Sequence, residues 1–111
     1  MAWRDMVVSQ ARAADGRGGC PLGSLNGQLA ETDPEARALL ATGFGRWQAA
    51  IGDGLREAHS AGRLAANVDP DDLAVTLLAI LQGGLLLAQA QRDSRPLETA
   101  VDTLLALATR Q

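Results

Sequence analysis

The sequence predicts an all-α, five-helix domain spanning residues 1–111. Three observations carry that prediction. Apolar residues recur every three or four positions along most of the chain, and no stretch alternates convincingly with the period of two that a half-buried strand needs. Two Asp-Pro-acid triplets, at 33–35 and 69–71, have the chemistry of helix starts. Tyr is absent and Phe occurs once, which argues against a β-sandwich. The length fits a single domain with one modest core.

Residues 2–14 form the expected first helix, with Trp3, Met6, Val7 and Ala11 along one side. The run from Asp15 to Gly19 reads as a loop, because glycine tolerates the positive φ that a tight turn needs. A short second helix is expected over residues 20–31. Pro21 suits its first position, and Leu22, Leu25 and Leu29 fall at i, i+3 and i+7. The third helix opens at Asp33, whose carboxylate can cap free N–H groups, with Pro34 in the first turn and Glu35 at the positive end of the dipole. Leu40, Phe44, Trp47, Ile51, Leu55 and Ala58 give it one apolar seam, and Gly62 is a natural stop. Measured from Trp47 at 100° per residue, Gly43 and Gly54 fall within about 40° of that side chain, whereas Gly45 and Gly52 point away, beside Arg56. Glycine on the seam removes volume beside the largest aromatic, either for close packing or for a cavity. The fourth helix starts at Asp69-Pro70-Asp71-Asp72 and runs to about Arg92. The fifth opens over Ser94–Glu98, with Leu97, Val101, Leu104, Leu105 and Ala108 as its apolar face.

The fourth helix departs from the amphipathic pattern. Its stretch LLAILQGGLLLAQA, residues 77–90, is apolar on two sides and holds two adjacent glycines. Leu73, Leu77, Leu81, Gly84, Leu85 and Ala88 share one side; Thr76, Ile80, Gly83, Leu87 and Ala90 share another. A helix apolar on two faces must be buried on two faces. A membrane span is disfavoured: the length is barely sufficient, Thr76, Gln82 and Gln89 interrupt it, two acids abut one end, and Trp or Tyr anchors are absent. Self-association accounts for the second face, because a chain this small has little left to cover it and an exposed patch of that size would be a liability. In a two-fold dimer, Gly83 and Gly84 would let crossing helices approach closely, with Gln82 and Gln89 hydrogen-bonding across the interface or lying at its rim.

Composition narrows the chemistry. The net charge of −3, from 13 acids and 10 bases, argues against this chain itself gripping a nucleic-acid backbone. One Cys excludes an internal disulfide and suggests a reducing compartment; with no signal-peptide pattern at the N-terminus, a cytoplasmic location is expected. His59 reads as a solvated surface residue, and one His with one Cys cannot build a usual zinc site. The acids at 69, 71 and 72 read as helix-start residues rather than metal ligands. No catalytic constellation stands out, so no enzyme activity and no cofactor are expected. Cys20 is read first as a small buried hydrophobe at a helix start, and second as a reactive thiol near Arg17.

With the helices in place, the segments GGCPLGSLNGQLAETDPEARALLATGFGRWQAAIGDGLREAHSAGRL and NVDPDDLAVTLLAILQGGLLLAQAQRDSRPLETAVDTLLAL resemble the C-terminal domain of Tet-repressor-family transcriptional regulators. The landmarks are Gly19-Cys20-Pro21-Leu22-Gly23, the Phe44 and Trp47 seam, the Gly62 stop before Asp69-Pro70, and Leu-Gln-Gly-Gly at 81–84. The resemblance implies a cytoplasmic bacterial homodimer whose last two long helices pair with their copies in an intersubunit four-helix bundle. The interface would then hold Thr76, Ile80, Gln82, Gly83, Gly84, Leu87, Gln89, Val101, Leu104 and Leu105. It also implies an effector pocket among the preceding helices, here expected between the first three: Trp3, Met6, Leu25, Leu40, Gly43, Phe44, Trp47, Ile51 and Gly54. That lining is mostly apolar, so a small apolar or aromatic effector is expected. The family's N-terminal helix-turn-helix head is not in these residues, so operator DNA would be reached only through a domain outside this chain. Some members of the family sense oxidants through a cysteine, which keeps Cys20 a candidate redox thiol. The competing reading is a stand-alone helical dimerisation or interaction module without a ligand.

Overall fold

A computed structural model of the chain describes residues 4, 5, 8, 9, 12 and 21–110, apart from the side chains of residues 21, 22, 24 and 25. Trp3, Met6 and Cys20, and the side chain of Leu25, therefore lie outside the described residues. Four helices are bounded: α1 (Pro21–Leu29), α2 (Pro34–Ser60), α3 (Pro70–Gln91) and α4 (Arg95–Ala108). Residues 4, 5, 8, 9 and 12 are helical as well, and no strand occurs among the described residues. The all-α prediction holds.

Local chemistry sets the helix ends where the sequence places them. Asp33 accepts the Ala36 N–H at 3.0 Å, and Asp69 accepts the Asp71 N–H at 2.9 Å, each with proline following it. Gly62 takes φ +74, and the Arg63 N–H returns to the Ala58 carbonyl, which closes α2 with a left-handed cap. The start of α4 differs in detail from expectation. Ser94 makes no side-chain capping bond; its hydroxyl donates to Glu98, and Asp93 accepts the Arg95 N–H at 3.0 Å instead. Arg92 closes α3 in the left-handed region, at φ 52.

Helix α3 lies between α2 and α4, and both neighbours belong to its own chain. Its buried residues are Leu73, Ala74, Leu77, Leu78, Leu81, Gly84 and Ala88; Leu73 and Ala74 join one hydrophobic cluster and Leu81 a second. One cluster joins Leu55, Ala58, Leu64, Leu73, Ala74 and Ala108, with Ile51, Val68 and Leu104 packed on it. The other joins Leu81, Leu97 and Val101 beneath Trp47, Ile80, Leu85 and Leu105. Leu97 is fully buried, a position worth roughly 1.5–3 kcal/mol against exposure. An antiparallel bridge between Leu64 and Thr109, with the Ala65 N–H donating to the Ala108 carbonyl, fastens the end of α4 to the α2–α3 connection. Much of the two-faced apolarity of α3 is thus satisfied inside one chain, because the helix is sandwiched. Its length and composition would suffice to cross a membrane, but these clusters give its buried rows a core role.

The molecule is a slab measuring 43 × 31 × 18 Å. Packed helix axes lie about 8–10 Å apart with Cα atoms about 2.3 Å from each axis, so the thin dimension holds two layers of helices and each helix keeps an outward face. Leu39, Val75, Leu86, Leu87 and Leu107 are exposed for that reason.

Candidate functional site

Two concave surfaces use different faces of α3. The first is an open groove of about 760 Å³ between the outward faces of α3 and α4. Ile80, Leu87, Leu104 and Leu107 supply its apolar wall, with Pro96, Ala100 and Thr103 along α4 and Gln91, Asp93 and Arg95 at one end. Asp93 and Arg95 pair at 2.9 Å, and the Asp93 carboxyl is held below its ordinary value by the bonds from Arg95, the backbone N–H first. The second surface is a half-open hollow of about 520 Å³ where α1 and α2 meet the other side of α3. Asn26 and Gln28 come from α1, Phe44 from α2, and Gln82, Gly83, Leu86 and Gln89 from α3. By the helical period the two sets of α3 residues point roughly 130° apart.

This division redistributes the expected interface. Ile80, Leu87 and Leu104 line the outer groove, and Thr76 lies beside it in a smaller depression with Leu107 and Asp72. Gln82, Gly83 and Gln89 face the hollow instead. Val101 is buried within its own chain, and Leu105 packs half-buried on the same cluster. The two glycines separate completely. Nothing lies within 4 Å of a Cβ built at Gly83, whereas one at Gly84 would sit 3.0 Å from the Leu97 Cα. The close approach that Gly84 permits is therefore made by α4 of the same chain.

The expected pocket is likewise redistributed. Of its described residues, Phe44 alone is among those lining the hollow. Leu40 is buried, and Trp47 and Ile51 pack half-buried on the two core clusters. Gly43 is half-buried. Gly54 is exposed with open space around it, while Gly52 is buried with Ala74 only 3.7 Å from a built Cβ and Arg56 nearby. The sequence reading takes Trp47 as the centre of the seam. That residue stands at the margin of the buried face, roughly 60° from its centre by the helical period.

Ion pairs tie the elements around these surfaces. Arg56 bridges Asp53 in α2 and Asp71 at the start of α3, which raises the guanidinium above its ordinary value; Asp71 thus has a structural partner. Ahead of α1, Arg4 donates to Asp102 at 2.6 Å and Arg12 pairs with Glu98. Val8 lies buried between the two arginines in sequence. Arg4, Val8 and Arg12 fall at i, i+4 and i+8, a helical spacing, and the two arginines meet their α4 partners in the opposite chain order. Their carboxylate partners are held below their ordinary values, Asp102 by the bond from Arg4 and Glu98 by the bonds from Arg12 and Ser94.

The architecture has clear relatives. The sequence pattern of the tetracyclin repressor-like C-terminal domain matches residues 1–104. The chain belongs to this family. It is 31% identical over 87 residues to the transcriptional regulator AcuR of Cereibacter sphaeroides, an alignment covering 78% of this chain and 40% of that protein. A regulatory protein TetR from Rhodobacter sphaeroides superposes with a TM-score of 0.87 at 26% identity, over 96% of this chain and 57% of that one. A TetR transcriptional regulator from Chloroflexus aurantiacus (TM-score 0.79, 24% identity, 99% and 58% coverage) and Escherichia coli NemR in its reduced form (0.75, 20%, 96% and 57%) share the fold. The chain thus spans between 40% and 58% of the lengths of these relatives. Within that TetR-type domain, the features missed from sequence differ in legibility. Leu86 with Gln82 and Gln89 makes an i, i+4, i+7 stripe that was there to be read, and so do Arg4 with Arg12 and Glu98 with Asp102. Asn26 and Gln28 carry no signal before α1 is docked.

Proposed function

We propose that this TetR-type domain dimerises through the outer groove of α3 and α4 and binds a small effector in the hollow between α1, α2 and α3. The last two helices of each chain would form a four-helix bundle with their copies. Effector occupancy would be relayed to a helix-turn-helix head outside these 111 residues, which alone would contact operator DNA. The protein would act in the cytoplasm as a regulator and not as an enzyme. The observation that carries this reading is the division of α3. One outward side presents Leu87, 49% exposed, beside Leu107, 75% exposed, on a continuous apolar groove; the other presents amides and a glycine on a hollow of ligand size. Exposed apolar surface of that kind is what a two-fold partner covers.

Sedimentation velocity of the chain at micromolar concentration tests the dimer directly. A species of twice the 11.6 kDa chain mass is expected. A clean monomer would remove the support for the bundle.

A further inference from the structure

The outer groove carries different charges at its two ends. One end holds Asp93 and Arg95. Arg95 meets Asp93 through its backbone N–H and its Nε, and a guanidinium carries further N–H donors. The Arg95 side chain is 84% exposed and that of Asp93 only 30%, so this end offers a second molecule mainly the cation. At the other end the groove runs on into the smaller depression, since Leu104 and Leu107 line both. Asp69, Asp72 and Thr76 border that depression. Asp71 is engaged by Arg56, and Asp72 is exposed. Arg63 and Arg110, near the end of α4, are outside both linings.

The spacing of the two ends fits a second copy of the chain. Gly84 rests against Leu97, and Leu73 shares a cluster with Ala108, so α3 and α4 run antiparallel. At about 1.5 Å per residue, Arg95 stands level with about Leu86, roughly 20 Å along α3 from Asp72. The midpoint falls at about Ala79, next to Ile80 in the groove wall. A two-fold axis there, perpendicular to α3, reverses the trough and lays each acidic end on the partner's basic end. An axis along α3 would set Asp72 against the partner's Asp72 and Arg95 against the partner's Arg95, and like charges facing across an interface cost affinity. Resting on the proposed dimer, we infer that charge sets the direction in which two copies pair: α3 meets its copy antiparallel, with Asp72 opposite the partner's Arg95 at both ends of the apolar trough. The apolar rows supply affinity, and the end charges select the register.

Equilibrium sedimentation of the 111-residue chain and three variants tests this pairing. Asp72→Arg and Arg95→Glu should each weaken dimerisation about tenfold, because each sets like charges together at both ends of the interface. The two substitutions combined should regain most of that loss. Within one chain the two positions lie about two Debye lengths apart at ordinary salt, so the rescue can act only between chains. Circular dichroism of each variant separates loss of helix from loss of the interface, and a fault in the first turn of α3 would not be repaired by a change in α4. Single variants as dimeric as the parent, or a combined variant no tighter than the weaker single one, would overturn the charge-set register and leave the dimer standing. A parent chain that stays monomeric would overturn the dimer, and the register with it.

Discussion

Gly83 and Gly84 are adjacent, chemically identical and opposite in role. A methyl group at Gly84 would meet the Leu97 backbone at 3.0 Å, and backbone cannot step aside as a flexible side-chain end can. A methyl at Gly83 meets nothing within 4 Å. Alanine exceeds glycine in a helix interior by about 1 kcal/mol, and overpacking costs about 1–3 kcal/mol. Gly83→Ala should therefore stabilise the fold by about 1 kcal/mol, and Gly84→Ala should destabilise it by a similar amount. Urea unfolding of both variants at one protein concentration measures the difference; equal midpoints would contradict the packing of α3 on α4. That something approaches closely at this glycine pair was legible in the sequence. Which glycine, and whether the neighbour belongs to the same chain, was not, because a shift of one residue turns the helix by 100° and both neighbours are leucine-rich.

At the scale of elements, helix ends were legible and helix faces less so. A cap depends on a few adjacent residues, so Asp33-Pro34 and Asp69-Pro70 announce themselves, whereas a face depends on what packs against it. Trp47 drew the seam of α2 toward itself by size, although the buried centre runs through Leu40, Leu55 and Ala58. The helix ahead of α1 shows the same dependence: Arg4, Val8 and Arg12 acquire meaning only opposite Glu98 and Asp102 of α4. Both carboxyls titrate below their ordinary values in the folded chain, Asp102 because of Arg4 and Glu98 because of Arg12 and then Ser94. A depressed folded value means that the stabilisation is complete at neutral pH and is lost as pH falls through it. Hydrogen-exchange protection at residues 4, 5, 8, 9 and 12 should accordingly collapse below the ordinary carboxylate range, ahead of protection in α3. The Glu98→Gln, Asp102→Asn double variant should have weak protection there at neutral pH and show no acid step. A double variant as protected as the parent would mean that Val8, and not the ion pairs, holds this segment.

At the scale of the whole molecule, the proposed dimer is argued from what one chain leaves uncovered. Leu87 on α3 is 49% exposed, and Leu107 and Leu39 are almost equally exposed, at 75% and 70%. Their surroundings differ. Leu107 continues an apolar groove through Leu87, Ile80 and Leu104, whereas Leu39 is outside the linings of both concave surfaces. Exposure alone would treat the two alike; interface geometry does not. Leu107→Glu should shift sedimentation toward monomer at concentrations where the parent is dimeric, since a charge placed in a closing apolar interface lacks a partner. Leu39→Glu should leave the dimer unchanged. A dimer that binds its own copy also becomes harder to unfold as concentration rises, by mass action. The melting temperature of the parent and of Leu39→Glu should therefore climb with protein concentration, and that of Leu107→Glu should not. If both glutamates act alike, in sedimentation and in melting, the groove is not where the chains meet, and the outward row of α3 must find its partner on another face.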